Sequence, residues 1–467
     1  MPLKISISGV RGTPEALTRE VCENFARAFA VYLGNKGTVV VGCDTRPNSN
    51  EIKTYVMQAL AEYGVNCLDA GICPTPTIGI YVREKKLSGG VMITASHNPL
   101  PWNGIKLMRS DGIFLNEKQA SKLLSIYEKL KASTSASASK RRLTAAQKGK
   151  ITVIGDALNI HIYKLLAALN PAPIKARRFK VVVDPVNGAG YQLAPQFLKK
   201  LNCEVIMLHA DPAKVFERPP EPTPTALTAL CEKVKSEKAD IGFALDPDAD
   251  RLALVDETGT PLSEELSVVI AADYILGNKT GGGEKSARHK LFSGKQKVVV
   301  NLSTTMAMDD IAKLHHAQLY RTKIGEVHVS EKMKKLKAPI GGEGNGGVIF
   351  PKVGFNRDAF SGMLLILAYL AGARKKLSAV AGKIPKYYSV KEKVAVSTAK
   401  EAAALIKKAK SHFKGAKLDL TEGVKVIFPD GWLHVRASNT EPIVRVMGEG
   451  KDLEKIKRQC REVREGA

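Results

Sequence analysis

At 467 residues and 44% hydrophobic content, the chain is long enough for about three or four packed domains of ~100–150 residues each, and global disorder is excluded. The formal charge of +25 points to phosphorylated small molecules, nucleic acid or an anionic surface as partner. The excess sits largely in stretches that read as solvated loops or helix faces (residues 140–142, 285–297, 332–337 and 407–410), with no interleaved aromatic stripe to suit a single-stranded nucleic acid. The seven cysteines are scattered without a C-x-x-C pair, so neither a disulfide framework nor a zinc site is expected, and a reducing cytosol fits best. The N-terminus lacks a signal-peptide pattern, and the most apolar run, residues 363–373, falls short of the ~20 residues of a membrane span. A cytoplasmic chain with no membrane partner is expected.

Residues 5–8 alternate like a strand and end in Gly9-Val10-Arg11-Gly12, read as a loop. A helix follows over residues 19–33, then a buried-type strand over 38–41 that ends at Gly42-Cys43-Asp44-Thr45-Arg46-Pro47. Next come a helix over 51–63, a strand over 65–69, a loop with Pro74 and Pro76, and a helix through Tyr81. The small and apolar run 89–93 reads as a buried strand that stops at Thr94-Ala95-Ser96-His97-Asn98-Pro99. That puts Ser96 on a loop at a strand's C-terminal end, where open α/β sheets present ligand-binding groups. Such a serine can be a nucleophile or a phosphate carrier, or it can be turn chemistry alone, because Ser, Asn and Pro favour turns for local reasons.

Residues 131–150 are rich in Ser, Ala and Lys and read as a linker or insertion before a helix containing Tyr163. The pattern then restarts. A triple-valine strand over 180–183 ends at a polar loop, and a helix and a strand over 204–208 follow. After a proline-rich loop at 219–224 and a helix near 226–235, the strand 241–245 leads into Asp246-Pro247-Asp248-Ala249-Asp250-Arg251. A third restart begins with the triple valine at 297–300 and passes through Thr322-Lys323-Ile324-Gly325-Glu326 to a glycine-rich loop over 341–347. One grammar used three times implies a threefold internal repeat of βαβ units. Beyond residue 385 the grammar changes to a helix (401–413), a hairpin (424–428 and 432–436 around Pro429-Asp430-Gly431), a strand (443–446) and a terminal helix from about 453. The expected fold class is α/β: three similar α/β domains with mixed sheets plus a smaller C-terminal α+β domain, with boundaries at residues 1–150, 151–258, 259–383 and 384–467.

Asp246, Asp248 and Asp250 repel one another unless a positive group sits among them. Alternate residues of an extended loop can converge on one divalent cation, and hard oxygen ligands suit Mg2+. An acidic surface turn is the alternative, and the spacing is not that of an EF-hand. Arg251 is available to a phosphate. Glu343 and Asn345 on a glycine-rich loop suit sugar hydroxyls, unless the loop is only a flexible connection. Arg436, Ser438, Asn439, Thr440 and Arg445 make an anion site on paper, or a capped turn with surface arginines. With Arg11 and Lys106 placed on loops within reach of Ser96, these are the parts of a phosphoryl-transfer site, and neither a Walker A motif nor a kinase signature accompanies them.

Taken in order, the T-A-S-H-N-P, D-P-D-A-D-R, G-E-G-N-G and R-A-S-N-T-E-P stretches resemble those of the α-D-phosphohexomutase family over essentially the whole chain. Arg11 matches the family's early G-[IV]-R-G element and Lys106 its N-G-x-K element. The resemblance implies catalytic roles for Ser96, Arg11, His97, Lys106 and Arg251, with Ser96 as the phosphorylated residue. It implies metal binding by Ser96, Asp246, Asp248 and Asp250. It implies substrate contacts from Lys323, Glu326, Glu343, Asn345, Arg436, Ser438, Asn439, Thr440 and Arg445, with His328 a further proton-transfer or specificity candidate beside Lys323 and Glu326. The metal loop departs from the D-G-D-G-D-R of many members through Pro247 and Ala249. In the sugar loop, Asn345 stands where a serine is common and a glycine replaces the usual closing histidine. The implied reaction interconverts hexose 6-phosphate and hexose 1-phosphate through a phosphoserine, with Mg2+ and a hexose 1,6-bisphosphate intermediate, in a deep, largely water-excluding cleft. The S-I-S-G-V-R-G opening and G-E-G-N-G-G loop lean to phosphoglucosamine mutase, with phosphomannomutase/phosphoglucomutase as the alternative and a non-catalytic sugar-phosphate or nucleic-acid binder as the remote one. Small-molecule hexose phosphates are the expected partners, and the expected assembly is a monomer or homodimer.

Overall fold

Valine triplets lie at the centre of the sheets because a parallel strand is covered on both faces and so takes apolar, β-branched residues at consecutive positions. The computed structural model describes residues 3–6, 9–134, 148–277, 296–438 and 443–465. These form two compact units, Met1–Ser267 with Gly346–Ala379, and Val268–Asn345 with Val380–Ala467.

In the first unit a seven-stranded mixed sheet runs in the order Lys4–Ser6, Gly9–Gly12, Asn103–Arg109, Gly89–Ile93, Thr38–Cys43, Asn66–Ile72 and Ile151–Val153. Val39, Val41, Val91 and Ile93 share one apolar cluster with Phe25 and Phe29 of helix Arg19–Tyr32, which Thr18 caps by accepting the N–H of Val21. On the sheet's other face, Gly90 leaves room for Ile78 and Val82 of helix Thr75–Glu84. A second sheet in this unit runs in the order Leu252–Val255, Ile241–Leu245, Lys180–Asp184 and Glu204–Met207.

The second unit places Lys297–Asn301 between Gln318–Thr322 and Ile340–Glu343, all parallel. Its C-terminal part is a five-stranded antiparallel sheet in the order Tyr388–Ala395, Ile443–Gly450, Gly431–Ala437, Val424–Phe428 and Lys417–Asp419, with helices Ala399–His412 and Leu453–Glu465. The threefold grammar is therefore a repeated topology. Val39 pairs with Cys67 and Gly89, Val181 with Val205 and Ile241, and Val298 with Leu319 and Ile340. Each time the valine strand is flanked by two parallel neighbours, and the neighbour later in the chain leads into the loop that carries chemistry.

Several local expectations are corrected. Gly9–Gly12 is a strand, not a loop, and Arg11 lies opposite Lys4 on one side and Gly104 on the other. Lys106 is likewise on a strand, Asn103–Arg109. Pro76 belongs to the first turn of helix Thr75–Glu84, where a missing N–H costs nothing. Gly341, Gly342 and Glu343 are part of strand Ile340–Glu343, and Glu326 opens helix Glu326–Leu336. Strand Tyr388–Ala395 was not anticipated. Most of the expected linker lies outside the described residues, as do the basic run 140–142 and most of the run 285–297.

In the second unit, His434 is 1% exposed, with Nε2 2.8 Å from the Glu422 carbonyl and Nδ1 3.3 Å from Ser303 Oγ. Burial pushes its pKa down to about 4, against the opposing pull of the Glu422 carbonyl. The unfolded chain then binds a proton that the folded chain refuses, so stability falls as pH drops from about 6.5 towards about 4, by about 3 kcal/mol at most. His434→Gln should flatten the Tm–pH curve in that window, and an unchanged curve would remove His434 as the cause.

Candidate active site

Strand Gly89–Ile93 ends at Thr94, and the chain turns at Ser96 with φ +51°, a left-handed conformation uncommon outside glycine. The turn is held from all sides. The Ser96 N–H donates to Thr94 Oγ1 at 2.8 Å, and Thr94 Oγ1 donates to Asp44 at 2.7 Å. The Arg46 guanidinium donates to the carbonyls of Ser96, Asn98 and Trp102 at 2.5, 2.7 and 2.7 Å, and its Nε to Asp44 at 3.0 Å. Asp44 and Arg46 lie in the polar loop after strand Thr38–Cys43 and belong to none of the motifs named above. Their signal was a carboxylate and a guanidinium two residues apart at a strand's C-terminal end.

The Ser96 hydroxyl is buried and donates to Asp246 Oδ2 at 2.9 Å. Asp246, Asp248 and Asp250 are fully buried, each with an oxygen within 4.8 Å of the others. Asp246 Oδ1 accepts the N–H groups of Asp250 and Arg251, both at 3.0 Å. Asp248 Oδ2 accepts Lys106 Nζ at 2.7 Å and Thr75 Oγ1 at 2.6 Å, and Asp250 Oδ2 accepts Arg357 Nη2 at 2.6 Å. The remaining oxygens, Asp248 Oδ1 and Asp250 Oδ1, are buried with no hydrogen-bond partner. Two orphaned carboxylate oxygens beside a third carboxylate are hard donors that a divalent cation would satisfy, so the residues present fit Mg2+.

Burial, with the charges of Asp250 and Asp248, drives the Asp246 pKa well above the carboxylate range. Burial also works against ionised Asp248, but the Lys106 ammonium and the Thr75 hydroxyl outweigh it and hold its pKa below that range. Ala249 takes the left-handed φ of +54° that a glycine would adopt at less cost. Pro247 lends its carbonyl to the N–H of Ala189 at 2.7 Å, so both departures from the commoner motif are accommodated.

Arg251 donates to His97 Nδ1 at 2.8 Å and to Glu221 at 2.6 Å. Burial, then the charges of Arg251, Arg11 and Arg357, pushes the His97 pKa well below its ordinary value, so the ring is neutral and accepts that bond. Arg11 donates to Asn98 at 2.7 Å, and burial lowers its pKa to about 10, which leaves it charged at neutral pH. Ser96, the three aspartates, Lys106, Arg251, His97 and Arg11 thus converge within the first unit. Thr75, Arg357 and Glu221 join them unannounced by any motif.

The second unit holds the remaining candidates. Glu343 is buried and accepts Asn301 Nδ2 at 2.8 Å and the Gly325 N–H at 3.0 Å. The Asn345 Oδ1 atom is buried without a partner. Lys323 is exposed and His328 half-buried, whereas Glu326 is buried in the helix's first turn. Arg436 and Arg445 face each other across adjacent strands. Burial lowers the Arg436 pKa against the pull of Glu422, whose carboxylate lies 3.6 Å away. Ser438 is half-buried beside them, while Asn439 and Thr440 lie outside the described residues. Among the described residues no helix is long and apolar enough to cross a membrane.

Comparison with known proteins bears on this geometry. Residues 3–134, 160–259 and 254–388 match the phosphoglucomutase/phosphomannomutase alpha/beta/alpha domains I, II and III, and residues 390–466 match the C-terminal domain. A phosphoglucomutase/phosphomannomutase of Thermococcus kodakarensis is 35% identical over 460 residues, covering 96% of this chain and 95% of its own. A phosphoglucosamine/phosphogalactosamine mutase of Sulfurisphaera tokodaii is 30% identical over 448 residues, covering 95% and 94%. The crystal structure of a phosphoglucomutase/phosphomannomutase family protein from Burkholderia thailandensis shares the fold, with a TM-score of 0.81 at 23% identity over 99% of this chain and 97% of that one. With these matches over nearly its full length, the chain belongs to the phosphoglucomutase/phosphomannomutase family of phosphohexomutases and is an isomerase of the phosphomutase type.

Proposed function

We propose that this chain interconverts hexose 6-phosphate and hexose 1-phosphate with Ser96 as the phosphate carrier. The observation that supports this most is a buried serine hydroxyl, at a strand's end, bonded to an aspartate cluster with two orphaned oxygens. In the forward half-reaction the P–O bond to Ser96 Oγ breaks and a P–O bond to the free sugar hydroxyl forms; the proton that hydroxyl loses is balanced by the one Ser96 Oγ takes up as it becomes a free hydroxyl. The resulting hexose 1,6-bisphosphate returns its other phosphate to Ser96. Asp246, Asp248 and Asp250, with an oxygen on Ser96, would hold Mg2+, which when bound neutralises phosphate charge. Arg11 and Arg251 carry positive charge for the transferring phosphate, and neutral His97 orients Arg251. Glu343 and Asn345 are proposed to bind sugar hydroxyls. Arg436, Arg445 and Ser438, with Asn439 and Thr440, are proposed to bind the non-reacting phosphate.

For the sugar we infer glucosamine phosphate, on the S-I-S-G-V-R-G opening and the G-E-G-N-G-G loop. The Thermococcus kodakarensis relative favours a second reading, phosphomannomutase/phosphoglucomutase. A coupled turnover assay with glucose, mannose and glucosamine phosphates and Mg2+ separates the two, and activity on none of them would overturn both. Arg436→Ala should raise KM about 10- to 100-fold with a smaller change in kcat, the loss expected for a charged hydrogen bond to phosphate. An unchanged KM would remove Arg436 from the phosphate site.

A further inference from the structure

The aspartate loop rests on two supports that belong to none of the recognised motifs. Thr75 opens helix Thr75–Glu84 and grips Asp248 twice, through Oγ1 to Oδ2 at 2.6 Å and through its N–H to the Asp248 carbonyl at 2.9 Å. On the other side, Arg357 reaches Asp250 Oδ2 at 2.6 Å, and the Ala359 N–H reaches the Ala249 carbonyl at 3.3 Å. The two supports approach closely: a Cβ on Gly79 would lie 2.0 Å from Asn356 Oδ1.

One side chain joins them. His161, in helix Ala157–Ala168, is 0% exposed. Its Nδ1 is 2.9 Å from Thr77 Oγ1, two residues beyond Thr75, and its Nε2 is 3.1 Å from Asp358 Oδ2, one residue beyond Arg357. Asp358 also caps helix Ala359–Ala373, accepting the Phe360 N–H at 3.0 Å and the Ser361 hydroxyl at 2.6 Å. Because Asp358 acts as acceptor towards each of these groups, Nε2 carries the ring proton and Nδ1 accepts from Thr77. The ring is held in one tautomer, with its edge against Phe360 at a centroid distance of 5.6 Å. A buried network of hydrogen-bonded side chains is rigid, and partners behind metal ligands set how well those ligands converge.

We propose that His161 is a positioning residue for the aspartate loop, a strut that keeps the Thr75 grip on Asp248 and the Arg357 grip on Asp250 in mutual register. The proposal rests on reading the three aspartates as metal ligands. A histidine that merely fills the core would contribute stability alone, whereas a strut contributes metal affinity.

The test is Mn2+ binding to the full chain, followed by electron paramagnetic resonance, with turnover measured alongside. His161→Phe keeps a ring against Phe360 but removes both hydrogen bonds. It should weaken Mn2+ binding about 10-fold and lower kcat, with KM for the hexose phosphate unchanged. His161→Gln can still donate to Asp358 and accept from Thr77, and should recover binding to within about threefold of wild type. Thr77→Val removes one bond only and should fall between them. A folded His161→Phe with Mn2+ affinity within about twofold of wild type overturns the proposal, as does equal loss in the Phe and Gln variants. Should the Phe variant fail to fold, a Thr77→Val variant with wild-type affinity overturns it equally. If the wild-type chain binds no Mn2+, the metal reading fails and takes the strut with it. If it binds and the variants match it, only the strut fails.

Discussion

Ser96→Ala should lower mutase turnover by about 10^4-fold or more, the scale on which losing a covalent nucleophile acts, while the protein stays folded. The two halves of that result have separate causes. The turn at Ser96 is held through its backbone: Thr94 Oγ1 accepts its N–H, and Arg46 binds its carbonyl. Neither contact uses the hydroxyl. Alanine removes one donor from Asp246 Oδ2 and nothing else. The expected stability cost is about 1 kcal/mol, or roughly 2–4 °C in Tm. Circular dichroism and a melting curve check the fold, and the coupled assay checks turnover. Activity within about tenfold of wild type would mean that the phosphate is carried elsewhere.

The loop that presents Ser96 was legible because an apolar strand followed by Ser, His, Asn and Pro has few readings. What fixes the serine there was not. Asp44 and Arg46 act on it from about fifty residues away in the chain, and only the parallel pairing of Thr38–Cys43 with Gly89–Ile93 makes them neighbours. Arg11 and Lys106, expected on loops, both sit on strands. Gly104 marks close backbone approach inside a sheet, since a Cβ there would lie 2.6 Å from the Val10 carbonyl. Lys106 also breaks the apolar pattern of its strand, because the partner that permits its burial, Asp248, lies in the loop after strand Ile241–Leu245 of another sheet. Thr75 and Arg357 belong to the same class, being single residues whose role exists only through a distant carboxylate. The aspartate triad, by contrast, is local in sequence and carried its own signal.

Lys106→Met tests how the cluster tolerates its own charge. Lys106 Nζ lies 2.7 Å from Asp248 and 3.6 Å from Asp250, and its side chain is 5% exposed against 0% for both partners. Methionine keeps an unbranched stem of similar length and loses the ammonium, which lies 5.7 Å from the Phe114 ring centroid, so the change removes charge more than volume. Breaking a buried pair from one side costs about 3–5 kcal/mol, which corresponds to a Tm lower by on the order of 10 °C. Turnover should fall by about 10^2- to 10^3-fold with it, as for the loss of a preorganised charge.

Two further measurements separate this cause from a packing defect. In the wild type the Asp248 pKa is depressed, so its contribution is present above the unfolded carboxylate value and is lost only as pH falls through the folded one. In the variant the same carboxylate is buried without its cation, which raises its pKa, and protonation then relieves the strain. The Tm deficit should therefore shrink as pH is lowered from 8 towards 5. Added Mg2+ should also raise the variant's Tm more than the wild type's, since it supplies the positive charge that the lysine no longer does. A deficit independent of both pH and Mg2+ would mean that Lys106 stabilises the strand by packing and that the aspartates do not depend on it for their ionisation.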